Sequence, residues 1–343
     1  MQDHRTTDTH VQWMLRALAV ATKGPEADPN PRVGCVLVDT DGALVAEGWH
    51  QGAGTPHAEA AALAAAGDRA AGCTAYVTLE PCNHTGRTDP CSRALADAGV
   101  AQVVYAVSDP SPSAGGGAAW LAENGVATEG GTLETEAVAL NRSWLHRIRT
   151  GRPWVTWKVA TTLDGRSAAA DGTSQWITGP EARADVHAWR ARSGAIVVGT
   201  GTALTDDPQL TARHPDGTLH DRQPLRVVMG QRDLPAGAHL FDDAAETVHL
   251  RTRSPRVVLE HLSEREIHRV WLEGGPTVAA AFMADGLVDE IVAYVAPVLL
   301  GRGRPSVSDL GITTIADALR LEPIDTRMIG HDIRITAILE ESR

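Results

Sequence analysis

Apolar residues recur at helical spacing near the start of the chain, where Val11, Leu15, Leu18 and Ala19 share one face of "THVQWMLRALAVATKG". The pattern predicts an amphipathic helix closed at Lys23-Gly24. The proline-rich "PEADPNPR" reads as a loop, and "VGCVLV" and "ALVAEGWH" read as a hairpin turning at Asp41-Gly42. "TPHAEAAALAAAG" predicts a second helix, with Thr55 as N-cap, Pro56 at the first helical position and Gly67 past the end. After it come a buried strand ("TAYVTL"), a helix ("CSRALADAG"), a strand ("AQVVYAVSD") and a helix ("GAAWLAENG"). "LETEAVALNRSWLHRIR" closes this half as one long helix. Strands alternating with helices indicate an α/β layered sheet.

"RTGRP" is the expected boundary, dividing the chain into domains 1–148 and 149–343. Beyond it the pattern restarts with the strand "WVTWKVATTLDG" and continues through "AIVVGTGTALTDDP", "LRVVM", "TVHLRT" and "RVWLEGGPTVAAAFMADG". Several of these units join a strand to a helix start, so the second half is also expected to be α/β. "EIVAYVAPVLLG" and "RMIGHDIRITAILE" point to antiparallel additions at its end. No internal repeat is visible.

Composition narrows the function classes. The 343 residues suffice for two ordinary domains. A net charge of −12 argues against general binding to nucleic acid or anionic membrane, because like charges repel, yet it permits a small phosphorylated ligand held by local arginines. The chain has no apolar run long enough to span a bilayer, and "MQDHRTTDTH" lacks the basic start and apolar middle of a signal peptide. A cytoplasmic location is the expectation. Four cysteines in a chain of this length then favour metal ligands or core thiols over a disulfide framework.

His57, Glu59, Cys82 and Cys91 form the sharpest constellation. Zinc takes imidazole and thiolate donors, and a catalytic site uses three of them, leaving a position for water. His57 and Cys82 each follow a proline, and Cys91 opens a predicted helix, where the helix start favours thiolate. Glu59 lies two residues after His57, about 200° around a regular helix. Both can address one centre only in the first turn, where side chains lean toward the helix start. "HAE", "PC" and a further cysteine together signal a hydrolytic zinc deaminase, in which the glutamate moves protons and is not a ligand. A structural zinc closed by His84 as fourth ligand is the bland alternative. Eight residues, "NHTGRTDP", separate the two cysteines, whereas nucleobase deaminases have two.

With "NPRVG" at 30–34, "HAE" and the long "PCNHTGRTDPC" segment, the chain resembles the bifunctional deaminase–reductases of riboflavin biosynthesis (RibD type). Asp89 stands where that family usually has proline. The resemblance implies a cytidine-deaminase-like three-layer α/β/α domain, then an α/β domain similar to dihydrofolate reductase. It also implies one zinc ion, NADPH and a phosphorylated pyrimidine substrate, with assembly through the reductase domain. In the first domain it implies substrate contacts from Asn30, His84 and Arg87. In the second, "KVATTLDGR", "GTSQWITG", "VGTGTALTDDPQLTAR" and "LEGGPT" carry it. Ala160, Trp176, Thr202, Asp206, Gly275, Pro276 and Thr277 then resemble cofactor contacts. Ser174, Arg190, Leu210, Arg213 and Glu273 resemble substrate contacts, and Lys158 and Glu273 are placed to hold the ribose oxygens. Arg190 and Arg213 are expected to supply the positive charge for the phosphate. "VVMGQR" departs from the family's "VVxDS" and "SAGGGAAWL" from its "GRG" loop. A deaminase of another base, or a zinc-stapled binding protein without turnover, remain the rival readings.

Overall fold

The computed structural model describes residues 2–84 and 89–339. The chain divides into two compact units, Met1–Gly151 and Arg152–Arg343.

In the first unit, β1 (Gly34–Val38) and β2 (Leu44–Trp49) form the expected hairpin, and β3 (Thr74–Leu79), β4 (Gln102–Val107) and β5 (Ala127–Gly130) extend it to a five-stranded sheet of order β2-β1-β3-β4-β5. β1 runs antiparallel to β2 and β3, whereas β3, β4 and β5 are parallel. Helices α1 (Gln2–Ala21), α2 (Ala58–Ala66), α3 (Cys91–Asp97), α4 (Gly117–Glu123), α5 (Glu134–Leu140) and α6 (Arg142–Thr150) complete the unit. Two apolar cores lie on opposite faces of the sheet. Ala58, Ala62, Leu95 and Leu121 of α2, α3 and α4 pack into one, and Met14, Ala17, Ala137 and Leu145 of α1, α5 and α6 into the other. Three layers result because the central strands are apolar on both faces, as the burial of all five residues of β1 requires.

Two local expectations change. Thr55 does not cap α2: its hydroxyl donates to the Gly52 carbonyl and closes a turn, and His57 is the N-cap in extended conformation. The closing helix is two helices, broken at Asn141, whose side chain accepts from the Arg32 amide (2.9 Å) and donates to the Arg32 carbonyl (2.8 Å). Helical periodicity continues through the break, so the pattern alone does not reveal it.

The second unit is built on an eight-stranded sheet of order β10-β9-β8-β11-β6-β12-β15-β14. Its strands are β6 (Trp154–Thr162), β8 (Ala195–Gly199), β9 (Leu225–Met229), β10 (Thr247–Leu250), β11 (Arg269–Leu272), β12 (Glu290–Ala296), β14 (Leu321–Ile329) and β15 (Asp332–Leu339). β7 (Arg166–Ala169) and β13 (Gly303–Pro305) make a separate ribbon. The first six strands in that order are parallel, and β15 and β14 add antiparallel at one edge. Helices α7 (Pro180–Ala191), α8 (Thr200–Asp206), α9 (Pro255–Glu264) and α10 (Pro276–Ala284) provide the crossovers. The chain leaves β8 toward β9 and β10, then returns to place β11 on the other side of β8. That reversal opens a crevice beyond the carboxyl ends of β8 and β11, the usual ligand position in such sheets.

Candidate active sites

Four elements converge on a cavity of about 210 Å³ in the first unit, lined among others by Asn30, His50, His57, Glu59, Cys82, His84 and Trp144. His57 stands at the N-cap of α2 and Glu59 in its first turn. Cys82 lies in the loop after β3, and Cys91 is the first residue of α3. The donor atoms of His57, Cys82 and Cys91 all fall within 4.8 Å of one another. His57 Nδ1 is 3.3 Å from Cys91 Sγ and 3.6 Å from Cys82 Sγ, and the Cys91 amide donates to Cys82 Sγ at 3.4 Å. Donors around a tetrahedral zinc lie roughly 3.5–3.8 Å apart, given bond lengths of about 2.1–2.3 Å.

The electrostatics fit a dication. Cys82 is held down to about 4, first by the hydrogen bond from the Cys91 thiol and then by His57. Cys91 is pushed up because it keeps the proton that the pair shares. A zinc ion in place of that proton lets both sulfurs ionise. His84 lines the cavity with its Nδ1 buried and without a hydrogen-bond partner among the described residues, but it stands outside the donor cluster. Three protein donors, not four, is the pattern of a catalytic zinc.

Glu59 is only 4% exposed. Burial, then the neighbouring Cys82 thiolate, pushes its carboxyl up to about 7. A carboxyl with that value can both take and return a proton near neutrality.

Two residues not anticipated from the sequence organise the cavity. His50 Nδ1 donates to the Pro56 carbonyl at 3.0 Å, which leaves Nε2 to accept from Asn30 Nδ2 at 3.0 Å. Asn30 is thereby oriented with its carboxamide oxygen available to a ligand. Glu80 accepts from the amides of Asp109 (3.0 Å) and Ala118 (2.9 Å), tying the loop that carries Asp109, Ser111 and Ala114 to the cysteine loop. The position of His50, seven residues before His57, was the available signal. Arg87 lies outside the described residues.

In the second unit, Lys158, Glu273 and Arg190 come together. The parallel register sets Leu272 of β11 beside Trp157 of β6, so Glu273 and Lys158 follow side by side. Arg190, in the last turn of α7, grips Glu273 with Nε at 2.6 Å and Nη2 at 2.9 Å, and Trp271 Nε1 donates to Glu273 at 2.8 Å. Despite burial, Arg190 holds the Glu273 carboxyl down to about 2. Lys158 is pushed below its ordinary value by burial, with Glu273 opposing and Arg190 adding to the shift. α7 itself was missed from the sequence, although Gly179-Pro180 is a helix-start signal.

Of the two arginines expected to present charge to a phosphate, Arg190 is ion-paired with Glu273. Arg213 is held by neutral groups, Thr211 Oγ1, the Gly217 carbonyl and Gln209 Oε1, so its charge stays uncompensated by these contacts. Leu210 is buried beside it in a left-handed conformation (φ 50°), and Ser174 is exposed in a turn. Around the crevice, Gly274 and Gly199 sit so close to Val278 that a Cβ on either would lie 2.7 Å from it. These glycines let the start of α10 pack against the end of β8. Thr202 reaches the same place, its Oγ1 3.9 Å from where a Cβ on Gly275 would stand. Pro276 and Thr277 open α10, Ala160 lies on β6 opposite Tyr294, and Asp206 ends α8 with its carboxyl raised by burial. Trp176 is 68% exposed, with the Arg183 guanidinium 4.4 Å over its ring.

Residues 7–107 match the cytidine and deoxycytidylate deaminase zinc-binding region, and residues 153–335 match the RibD C-terminal domain. Together they define a deaminase–reductase, a hydrolase and an oxidoreductase carried on one chain. The riboflavin biosynthesis protein RibD of Mycobacterium tuberculosis is 50% identical over 311 residues, covering 90% of this chain and 91% of its own. That of Escherichia coli is 41% identical over 358 residues, covering 94% and 97%. The solved structure of Acinetobacter baumannii RibD superposes with a TM-score of 0.89 at 39% identity, covering 98% of this chain and all of that one (100%). The chain belongs to the RibD family, the bifunctional deaminase–reductases of riboflavin biosynthesis. Its deaminase region is of the zinc-binding kind and its reductase domain of an NADPH-dependent family. Among the described residues, no helix is long and apolar enough to cross a membrane.

Proposed function

We propose that the first unit hydrolyses the 2-amine of 2,5-diamino-6-ribosylamino-4(3H)-pyrimidinone 5′-phosphate to a carbonyl, and that the second unit reduces the ribosyl group of the product to ribityl. The observation that carries this reading is the buried Glu59 beside a three-donor His57/Cys82/Cys91 cluster, within one cavity. His57, Cys82 and Cys91 would hold zinc, which when bound would supply a Lewis acid that makes water nucleophilic at neutral pH. Glu59 takes the proton of the attacking water and passes it to the ring nitrogen. It then delivers a proton to the departing amine, which leaves as ammonia. Asn30, oriented by His50, hydrogen-bonds the pyrimidine edge. His84 and Arg87 are assigned to the sugar phosphate.

In the second unit, Gly275, Pro276 and Thr277 at the start of α10, with Thr202 and Asp206 of α8, hold the cofactor across the β8/β11 crevice. Ala160 and Trp176 complete its contacts. When bound, NADPH would supply a hydride for reduction at C1′ of the opened ribose. Lys158 holds a proton for the ribose oxygen as the C1′–O bond opens, and Glu273 orients the hydroxyls. Arg213 takes the phosphate, with Ser174 and Leu210 shaping the pocket and Arg190 holding Glu273 in place. None of the four cysteines is in a disulfide, which supports a reducing, cytoplasmic setting.

Mass spectrometry of that substrate tests both halves. Without NADPH the amine alone becomes a carbonyl; with NADPH the product then gains two hydrogens. No change in either tube, with zinc present, overturns the assignment of substrate.

Assembly through the second unit is the remaining part of the proposal. β14 is a nine-residue edge strand carrying Met328 (60% exposed), and Leu299 (71%) and Ile315 (85%) add exposed apolar side chains to the unit. Exposed apolar edges are normally covered. Light scattering is expected to give a mass at least twice 36.3 kDa; a monomer at micromolar concentration rejects the assembly.

A further inference from the structure

We infer that Arg232 reads the 2′-phosphate of the reductase cofactor and is the residue that makes this chain prefer NADPH to NADH. The inference rests on the reductase reading of the second unit.

With Gly275–Thr277 proposed to hold its pyrophosphate and Lys158 and Glu273 to address its reacting end beyond β6 and β11, a bound dinucleotide would lie across the crevice. Its adenosine would then lie past the end of β8 toward β9. From β6 to β9 is three strand spacings, roughly 14 Å, a distance that an extended dinucleotide spans. Arg232 stands at that far end, three residues after β9. Its Nε donates to Thr200 Oγ1 at 3.4 Å, and its Nη2 lies 3.2 Å from where a Cβ on Gly201 would be. The guanidinium therefore sits over the Thr200-Gly201 segment that leads to Thr202.

Neighbouring groups leave this charge available. Arg251, the other cation of the same loops, is ion-paired with Asp233 and donates to the Gln231 carbonyl. Arg232 has no carboxylate within ion-pair distance among the described residues. Gln231, at the position where the family's "VVxDS" pattern has serine, donates its side-chain amide to the Arg251 carbonyl at 2.7 Å and so faces β10. Gly230 explains the turn. Its φ is 135°, and a Cβ there would lie 2.5 Å from Thr200 Oγ1, so the backbone presses directly on Thr200. With Gly230 seated and Gln231 turned away, the next residue, Arg232, projects over the crevice end. Arginine suits a phosphate monoester because its planar fork pairs two oxygens at once. NADH, with a hydroxyl in that place, has nothing for it to pair.

Isothermal titration of the full-length protein with NADPH, NADH and adenosine 2′,5′-bisphosphate tests the inference. For Arg232→Ala, the dissociation constants of NADPH and the bisphosphate are expected to rise about 10- to 100-fold. That of NADH is expected to stay at the wild-type value, which also reports that the unit is folded. An unchanged NADPH-to-NADH ratio, or an equal loss for both cofactors, overturns the role of Arg232. Wild-type protein that binds neither cofactor overturns the reductase reading, and the inference with it.

Discussion

Glu59→Gln is expected to lower the rate of deamination by about 10³-fold, while zinc content and the reduction of already deaminated substrate stay at wild-type levels. Glutamine keeps the size and the hydrogen-bonding reach of the side chain but cannot carry a proton from water to the ring and on to the leaving amine. The expectation follows from where Glu59 sits. It is buried in the first turn of α2, and its value near 7 comes from lost hydration and the adjacent Cys82 thiolate. Elemental analysis for zinc, run beside the two activity assays, separates a proton carrier from a residue that merely supports the metal. Deamination at the wild-type rate, or zinc lost along with activity, removes Glu59 from the role given to it.

The second large effect is expected at Lys158. Replacing it with methionine preserves the length and apolar stem but removes the ammonium, and reduction is expected to slow by about 10²-fold or more. Deamination should not change. Lys158 lies on β6, between β11 and β12, so it is not an edge lysine reaching for water. Burial drives its pKa down, and Glu273 and Asp206 only partly restore the charged form. The sign of the pH effect is then determined. The proton is present below the depressed value and lost above it, so the reductase rate falls on the alkaline side at a pH below that of an ordinary lysine. The Lys158→Met variant should lack this alkaline limb. Reduction within twofold of wild type, or an unchanged pH profile, assigns the proton to another group.

The deaminase site was legible because its parts are local and chemically unusual. His57 and Glu59 are two residues apart, Cys82 and Cys91 nine apart, and thiols with an imidazole have few other uses at such spacing. The pattern puts the beginning of α2 at Thr55 and Pro56, whereas Thr55 closes a turn and the helix begins after His57. His57 as N-cap and Glu59 in the first turn still face one cavity. The reductase site was legible only through its resemblance to a family, since nothing in the spacing of Lys158, Arg190 and Glu273 links them.

By itself, the sequence determined the alternation of strands and helices, the hairpin at Asp41-Gly42, the His57, Cys82 and Cys91 donor set and the acidic balance. Each of these depends on short-range periodicity, turn chemistry or residue type. Only the tertiary structure decided which distant groups meet. The register of β11 on β6 sets Glu273 beside Lys158, Asn141 splits a helix by bonding the backbone of Arg32, and His50 turns Asn30 toward the cavity. Such contacts depend on strand order and on partners far away in the chain, and a local pattern of apolar and polar residues carries no information about either.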